Sequence, residues 1–243
     1  MNNYLIVACQ AASEAAELLR NKFLTDAGVA DSRGKDIKTL ADIAAQEIIL
    51  AKLSATGIPV LAEEGDGKQD VDLSGLVWLV DPLDGTLNFT RGFAMAAVSI
   101  ALWDGDKPLL GVVHDIFHGH VYSGHVAEGA WFDARDMRVS TVSDLSQAVL
   151  ATGFPSGRSY DTDSLLRFVQ SVQSYKKVRM LGSAAMMLAQ VAAGRFDAYE
   201  EEDIYLWDVA AGLALVQAAG GCFSMRKGSG PFKYHVRATN GSL

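Results

Sequence analysis

Cysteine is scarce in this 243-residue chain: Cys9 and Cys222 are the only two. Two thiols cannot build a zinc site alone or staple a disulfide scaffold, so a reducing, cytoplasmic setting is the expectation. Basic residues are the minority, 21 against 29 acids, for a formal charge of −8. Binding to a nucleic-acid polymer draws its affinity from neutralised phosphates, and this balance argues against it. No stretch approaches eighteen uncharged apolar residues, so neither a spanning helix nor a membrane partner is expected. The first nineteen residues lack a basic opening, and Glu14 and Glu17 interrupt them, so they do not read as a signal peptide. Proline numbers five, and no Pro/Gly/Ser-rich linker divides the chain. Residues 1–243 are therefore read as one domain of two packed halves, about 1–141 and 142–243.

Apolar residues make up 49% of the chain, enough for a sizeable core. Tyr4, Ala8, Ala12, Ala15, Leu19 and Phe23 recur at helical spacing and predict a helix over 4–24. A polar loop follows, from Asp26 to Asp36. A second helix is predicted from Thr39 to about Ser54, with Thr39 as its cap and Asp42 in its first turn. Strands are expected at Ile58–Ala62, Leu76–Val80, Ala96–Leu102, Leu109–His114, His120–Ser123 and Gly129–Phe132. Beyond Val142, strands at Ala148–Thr152, Val178–Leu181 and Phe196–Glu200 alternate with helices at Thr162–Ser174, Ser183–Ala193 and Tyr205–Ala219. Strand-rich and then alternating, the pattern predicts a layered α/β or α+β protein.

The densest chemistry lies in Asp81-Pro82-Leu83-Asp84-Gly85-Thr86. A buried strand runs into two carboxylates three residues apart, with proline fixing one φ and glycine permitting a sharp turn. Such a pair can share a hard cation such as Mg²⁺, which demands oxygen ligands. The Leu83 carbonyl lies between them and the Thr86 hydroxyl beside them. Taken alone, the motif is more often an ordinary capped turn. Glu63-Glu64 closes the preceding short strand, where adjacent acids are usually solvated. Asp42 suits the positive end of a helix dipole as well as a site. Asp208, on the apolar run Trp207-Asp208-Val209-Ala210-Ala211-Gly212, is either a cap or a ligand. An aspartyl-phosphate nucleophile needs aspartates two apart, which Asp81 and Asp84 are not.

Together, Leu61-Ala62-Glu63-Glu64, Asp81 to Phe89 and Trp207 to Gly212 resemble the inositol monophosphatase family of magnesium-dependent, lithium-sensitive phosphatases. Gly111-Val112-Val113, Gly129 to Phe132 and Gly182-Ser183-Ala184-Ala185 extend the likeness over nearly the whole chain. The resemblance implies a five-layer αβαβα sandwich, assembled as a homodimer. It implies metal ligation by Glu63, Asp81, the Leu83 carbonyl, Asp84 and Asp208, with two or three Mg²⁺ per site. It implies that Asp42, Thr86 and Glu63 prepare the attacking water. The substrate would meet Asp84, Gly85, Thr86, Gly182, Ser183, Ala184 and Glu201. The implied activity is hydrolysis of a small phosphate monoester, with inositol 1-phosphate first. Bisphosphorylated nucleotides, fructose 1,6-bisphosphate and histidinol phosphate are the rivals, and a relative that binds without hydrolysing is the non-enzymatic alternative.

Three further features bear on selectivity. The acidic run Glu200-Glu201-Glu202-Asp203 reads as a solvated loop that disfavours leaving groups carrying extra phosphates. Lys176, Lys177 and Arg179 read as an exposed strand edge. His114, His118, His120 and His125 place four of the five histidines within twelve residues. A transition-metal site there is conceivable, although hairpin turns account for the segment.

Overall fold

The computed structural model describes residues 3–24, 27–33, 36–64, 71–154 and 160–243. Helix α1 (Asn3–Leu18) buries Leu5, Ala8, Ala11, Ala12, Ala15 and Ala16. Such small side chains allow close approach to its neighbours. It continues as π-helical turns over Leu19–Phe23, where a single regular helix is predicted. Strands β1 (Val29–Arg33) and β2 (Asp36–Thr39) pair antiparallel, Ser32 opposite Ile37. This hairpin occupies most of the expected polar loop. Backbone pairing needs no apolar alternation, so periodicity could not reveal it.

Helix α2 (Leu40–Leu53) opens with a capping box: Thr39 accepts from the Asp42 N–H, and Asp42 accepts from the Thr39 N–H. The first sheet follows as β3 (Val60–Ala62), β4 (Leu76–Asp84), β5 (Ala97–Asp104), β6 (Lys107–Asp115), β7 (Val121–His125), β8 (Gly129–Phe132) and β9 (Arg135–Met137). A short α3 (Thr86–Thr90) interrupts it after β4. The seven strands lie in sequence order, all antiparallel except β3 beside β4. The second sheet draws on β10 (Val149–Thr152), β11 (Lys177–Arg179), β12 (Ala198–Tyr205), β13 (Cys222–Lys227) and β14 (Lys233–Thr239), in the order β11-β10-β12-β14-β13. Helices α4 (Thr162–Gln173), α5 (Ala184–Ala192) and α6 (Leu206–Ala218) connect its strands.

Alternation along β4 sets the layering. Trp78 and Val80 pack with Leu5, Ile49 and the alanines of α1 and α2. Val77 and Leu79 face the other way, onto Leu188 of α5 and Leu213 of α6. Tyr199, Val236 and Ala238 close that same core from the second sheet. On the outer face of that sheet Leu150 and Ala198 meet Val172 of α4. The order is helix, sheet, helix, sheet, helix, the five layers expected. Burying each large apolar side chain contributes about 1.5–3 kcal/mol. The central helix lies so close to β6 that a Cβ on Gly111 would sit 2.3 Å from the Ala211 carbonyl oxygen. No helix among the described residues is long and apolar enough to cross a membrane.

Several elements depart from expectation. Strand β4 runs on to Asp84 instead of stopping at Val80. The acidic run Glu200-Glu201-Glu202-Asp203 is strand β12, not a solvated loop, and Glu201 and Asp203 are buried. A register shift between Glu201 and Ile204 accommodates Asp203 at φ 62°. Strands β9, β13 and β14 have no counterpart in the sequence reading. The apolar alternation of β13 is confined to Phe223 and Met225, both only partly buried.

Candidate active site

The register between β4 and β5 slips between Asp81 and Asp84, where Asp81 opposes Ser99 and Asp84 opposes Ala97. Pro82, which has no N–H to give a ladder, sits inside that slip. The bulge delivers both carboxylates to the same end of the sheet, where the chain leaves it. Gly85 then turns at φ 82°. A Cβ there would lie 2.8 Å from the Met95 carbonyl oxygen and 3.2 Å from that of Gly182, so both backbone conformation and space require glycine.

Asp84 docks at the start of α5. The Ser183 hydroxyl donates to its Oδ2, the Ala185 N–H donates to the same oxygen at 2.9 Å, and the Ala184 N–H donates to Oδ1 at 3.3 Å. Burial pushes the Asp84 carboxyl up to about 6, although these donors pull against it. Asp81 Oδ1 accepts from the Leu83 N–H at 2.9 Å. Its pKa is raised well above the ordinary range, first by burial, then by the charges of Glu63, Asp84 and Asp208. The nearness of the Glu63 carboxyl to that of Asp81 adds to the same rise. Asp208, in the first turn of α6, is raised by burial and then by Glu63, Asp84 and Glu201, with the Tyr205 N–H opposing. Glu63, Asp81, Asp84 and Asp208, from distant stretches of chain, thus lie within electrostatic reach of one another.

A second pair flanks them. Thr86 Oγ1 is 3.0 Å from the Leu83 carbonyl oxygen and 3.2 Å from Asp42 Oδ1, so its single proton serves one acceptor at a time. Asp42 is buried, and burial raises its pKa. Hydrogen bonds from Thr39 oppose that rise, and the charge of Glu64 adds to it. Gln46 of α2 holds the next segment, accepting from the Glu64 N–H at 3.1 Å and donating to its carbonyl at 2.7 Å. Farther along, Glu201 is buried and accepts from the Tyr199 hydroxyl at 2.7 Å.

All the sequence-derived residues except Glu201 thus gather at the adjoining ends of β3, β4, α2, α3, α5 and α6. Glu201 reaches the group through its charge on Asp208. Gly182, Ser183 and Ala184 stand against Asp84, and the donors of Ser183 and Ala184 are given to that carboxylate. Sequence reasoning assigned nothing to Asn88, whose amide donates to the Met95 carbonyl at 2.8 Å and the Leu181 carbonyl at 2.7 Å. Tyr199 was also missed. Its spacing of two from Glu201 on one strand face was the available signal.

The donor set suits a hard divalent cation: four carboxylates and a carbonyl, oxygen throughout. Acids that raise one another's pKa mark a place where positive charge is wanted. As placed, no three of the described acids, histidines or cysteines close around one point. Asp81 and Asp84 spend oxygens on protein N–H and O–H donors instead.

A layered sandwich carrying clustered acids at the end of β4 is the architecture of a phosphoric monoester hydrolase. The model of the inositol monophosphatase family matches residues 1–242, and the chain belongs to that family. It is 34% identical over 245 residues to a Mycobacterium leprae protein named inositol-1-monophosphatase, covering 93% of this chain and 84% of that one. It is 36% identical to the Nus factor SuhB of Pseudomonas aeruginosa, covering 99% and 92%. Among solved structures, the extragenic suppressor protein suhB of Bartonella henselae superposes with a TM-score of 0.85 at 32% identity, covering 99% and 95%. Members of the family are metal-dependent phosphatases.

Proposed function

We propose that this chain hydrolyses inositol 1-phosphate, or a similarly small phosphate monoester, to alcohol and phosphate with Mg²⁺ as cofactor. The observation that carries the reading is the group of four mutually repelling acids, Glu63, Asp81, Asp84 and Asp208. Those residues and the Leu83 carbonyl would hold two or three Mg²⁺. When bound, the ions neutralise the phosphate, acidify the attacking water and stabilise charge on the leaving oxygen.

The remaining work falls to the chain. Asp42, made more basic by burial, takes a proton relayed through the Thr86 hydroxyl from the incoming water, with Glu63 assisting. N–H groups of Gly85 and Thr86, at the start of α3, would face phosphate oxygens, and Ser183 and Ala184, whose donors go to Asp84, back that wall with Gly182 by holding Asp84 in place. Glu201, oriented by Tyr199, accepts hydrogen bonds from hydroxyls of the leaving alcohol. Its negative charge selects polyols over leaving groups that carry a second phosphate.

A phosphate-release assay over inositol 1-phosphate, adenosine 3′,5′-bisphosphate, fructose 1,6-bisphosphate and histidinol phosphate tests this. Inositol 1-phosphate is expected to turn over fastest, with activity removed by EDTA, restored by Mg²⁺ and inhibited by lithium. Release that ignores chelation sinks the metal mechanism. Faster cleavage of the bisphosphates overturns the assigned selectivity, and binding with no hydrolysis supports the non-enzymatic alternative. A cytoplasmic location accords with the two free thiols, Cys9 and Cys222. We place the homodimer contact on the exposed apolar residues Leu165, Leu166 and Val169 of α4. Sedimentation of Leu166→Glu should then give a monomer.

A further inference from the structure

We propose that Gly153 is a positioning residue: the space its side chain would fill seats the Glu201 carboxylate, and that seat sets the preference for hydroxyl-bearing leaving alcohols. The inference rests on the role given to Glu201 above and adds the residue on which that role depends. Strands β10 and β12 run parallel, with Ala151 beside Tyr199 and Thr152 beside Glu200. One step on, Gly153 stands next to Glu201. Ala151 and Tyr199 belong to the core between the two sheets. Alternation puts Gly153 and Glu201 on that same face, toward α5 and α6.

A Cβ on Gly153 would lie 2.6 Å from Oε1, 2.7 Å from Oε2 and 2.9 Å from Cδ of Glu201. The whole carboxylate thus lies across the glycine, where any other residue would carry atoms. Tyr199, two positions back on the same strand face, donates its hydroxyl to Oε2 at 2.7 Å. Hydroxyl and seat together fix the direction in which the buried carboxylate points, and its charge is felt at Asp208 of α6. The close approach differs in kind from those at Gly85 and Gly111, where a Cβ would meet backbone carbonyl oxygens and displace the chain itself. At Gly153 it meets the far end of a flexible side chain, and the glycine does not occupy the left-handed region. Gly153→Ala therefore moves the Glu201 carboxylate and leaves the fold in place.

The test pairs two substrates with one spectrum. Gly153→Ala should raise KM for inositol 1-phosphate about tenfold with kcat little changed, as the loss of a hydrogen bond to a charged group would. KM for phenyl phosphate, whose leaving group carries no further hydroxyl, should stay within about twofold. Gly153→Ala/Glu201→Gln should bind inositol 1-phosphate no worse than Glu201→Gln, because both substitutions remove one contact. In the protein without substrate, the nuclear magnetic resonance of isotope-labelled Tyr199 Cζ, assigned by its loss in Tyr199→Phe, should shift in Gly153→Ala. It should not move in Gly75→Ala, where a Cβ meets nothing within 4 Å. Equal losses on both substrates, or an unmoved Tyr199 resonance, would overturn the seat. A KM that rises in Glu201→Gln but not in Gly153→Ala would sink the seat alone. A KM that Glu201→Gln leaves unchanged would sink the role of Glu201, and the specificity assigned to Gly153 with it.

Discussion

Asp203 and Asp208 stand five residues apart on either side of the junction between β12 and α6, and their surroundings drive them in opposite directions. Burial raises Asp203, but the Ser229 N–H at 2.6 Å, the Ser229 hydroxyl at 2.7 Å and the Lys233 ammonium at 3.5 Å outweigh it and hold the carboxyl low. Asp208 is raised by burial and again by three neighbouring acids. One acid arrives with its donors and fastens β12 to the segment after β13. The other is set among like charges. A carboxylate with donors of its own is compensated from within the fold, whereas one set among like charges leaves room for compensation from outside.

The largest expected break in this comparison is Asp208→Asn. Turnover should fall roughly a thousandfold, about 4 kcal/mol of barrier, in a phosphate-release assay. Its thermal midpoint in EDTA should hold steady or rise, because repulsion is relieved. A variant that loses stability instead would make Asp208 a structural acid like Asp203.

His114 extends the contrast to a base. Burial, followed by the charge of Arg20, pushes its imidazole down to about 4, and its buried Nε2 has no hydrogen-bond partner among the described residues. Below pH 6.5 the unfolded chain takes up a proton that the folded chain refuses. Stability is therefore full above that pH and is lost as pH falls through 4, by about 3 kcal/mol in all. Denaturant melts across this window should show the loss, and His114→Gln should flatten it.

Mg²⁺ at a hundred times its dissociation constant should stabilise the protein by about 2.7 kcal/mol for each ion bound. Calorimetry should find that gain unchanged in Asp203→Asn and much reduced in Asp208→Asn. Asp203→Asn should itself cost about 2 kcal/mol of stability, for weakened buried hydrogen bonds, and leave turnover within a few-fold. The smallest effect expected is a rise in KM of about tenfold for Glu201→Gln with kcat little changed, the mark of a group that binds ground and transition states alike.

Much of the candidate site was legible because its acids interrupt apolar runs. Asp81 and Asp84 end a buried strand, and Asp208 breaks an otherwise apolar helix, so each stands out against its neighbours. Asp203 was illegible for the opposite reason. Inside Glu200-Glu201-Glu202-Asp203 it looks like one more solvated charge, and its partners, Ser229 and Lys233, lie more than twenty residues away. The same holds for the β1–β2 hairpin, where the sequence carries no apolar alternation, and for β13, where the alternation is limited to Phe223 and Met225. The hold of Ser183 on Asp84 spans ninety-nine positions and joins two stretches that local spacing cannot relate.

The Asn88 amide touches the carbonyls of Met95 and Leu181 and so fastens α3, from the first half, to the residue that precedes Gly182 and α5 in the second. A single carboxamide therefore sets the tolerance with which two separately wound stretches of chain meet. Asn88→Asp would put an anion against two carbonyl dipoles, and the joint would open at the very seam where Asp84 meets Ser183.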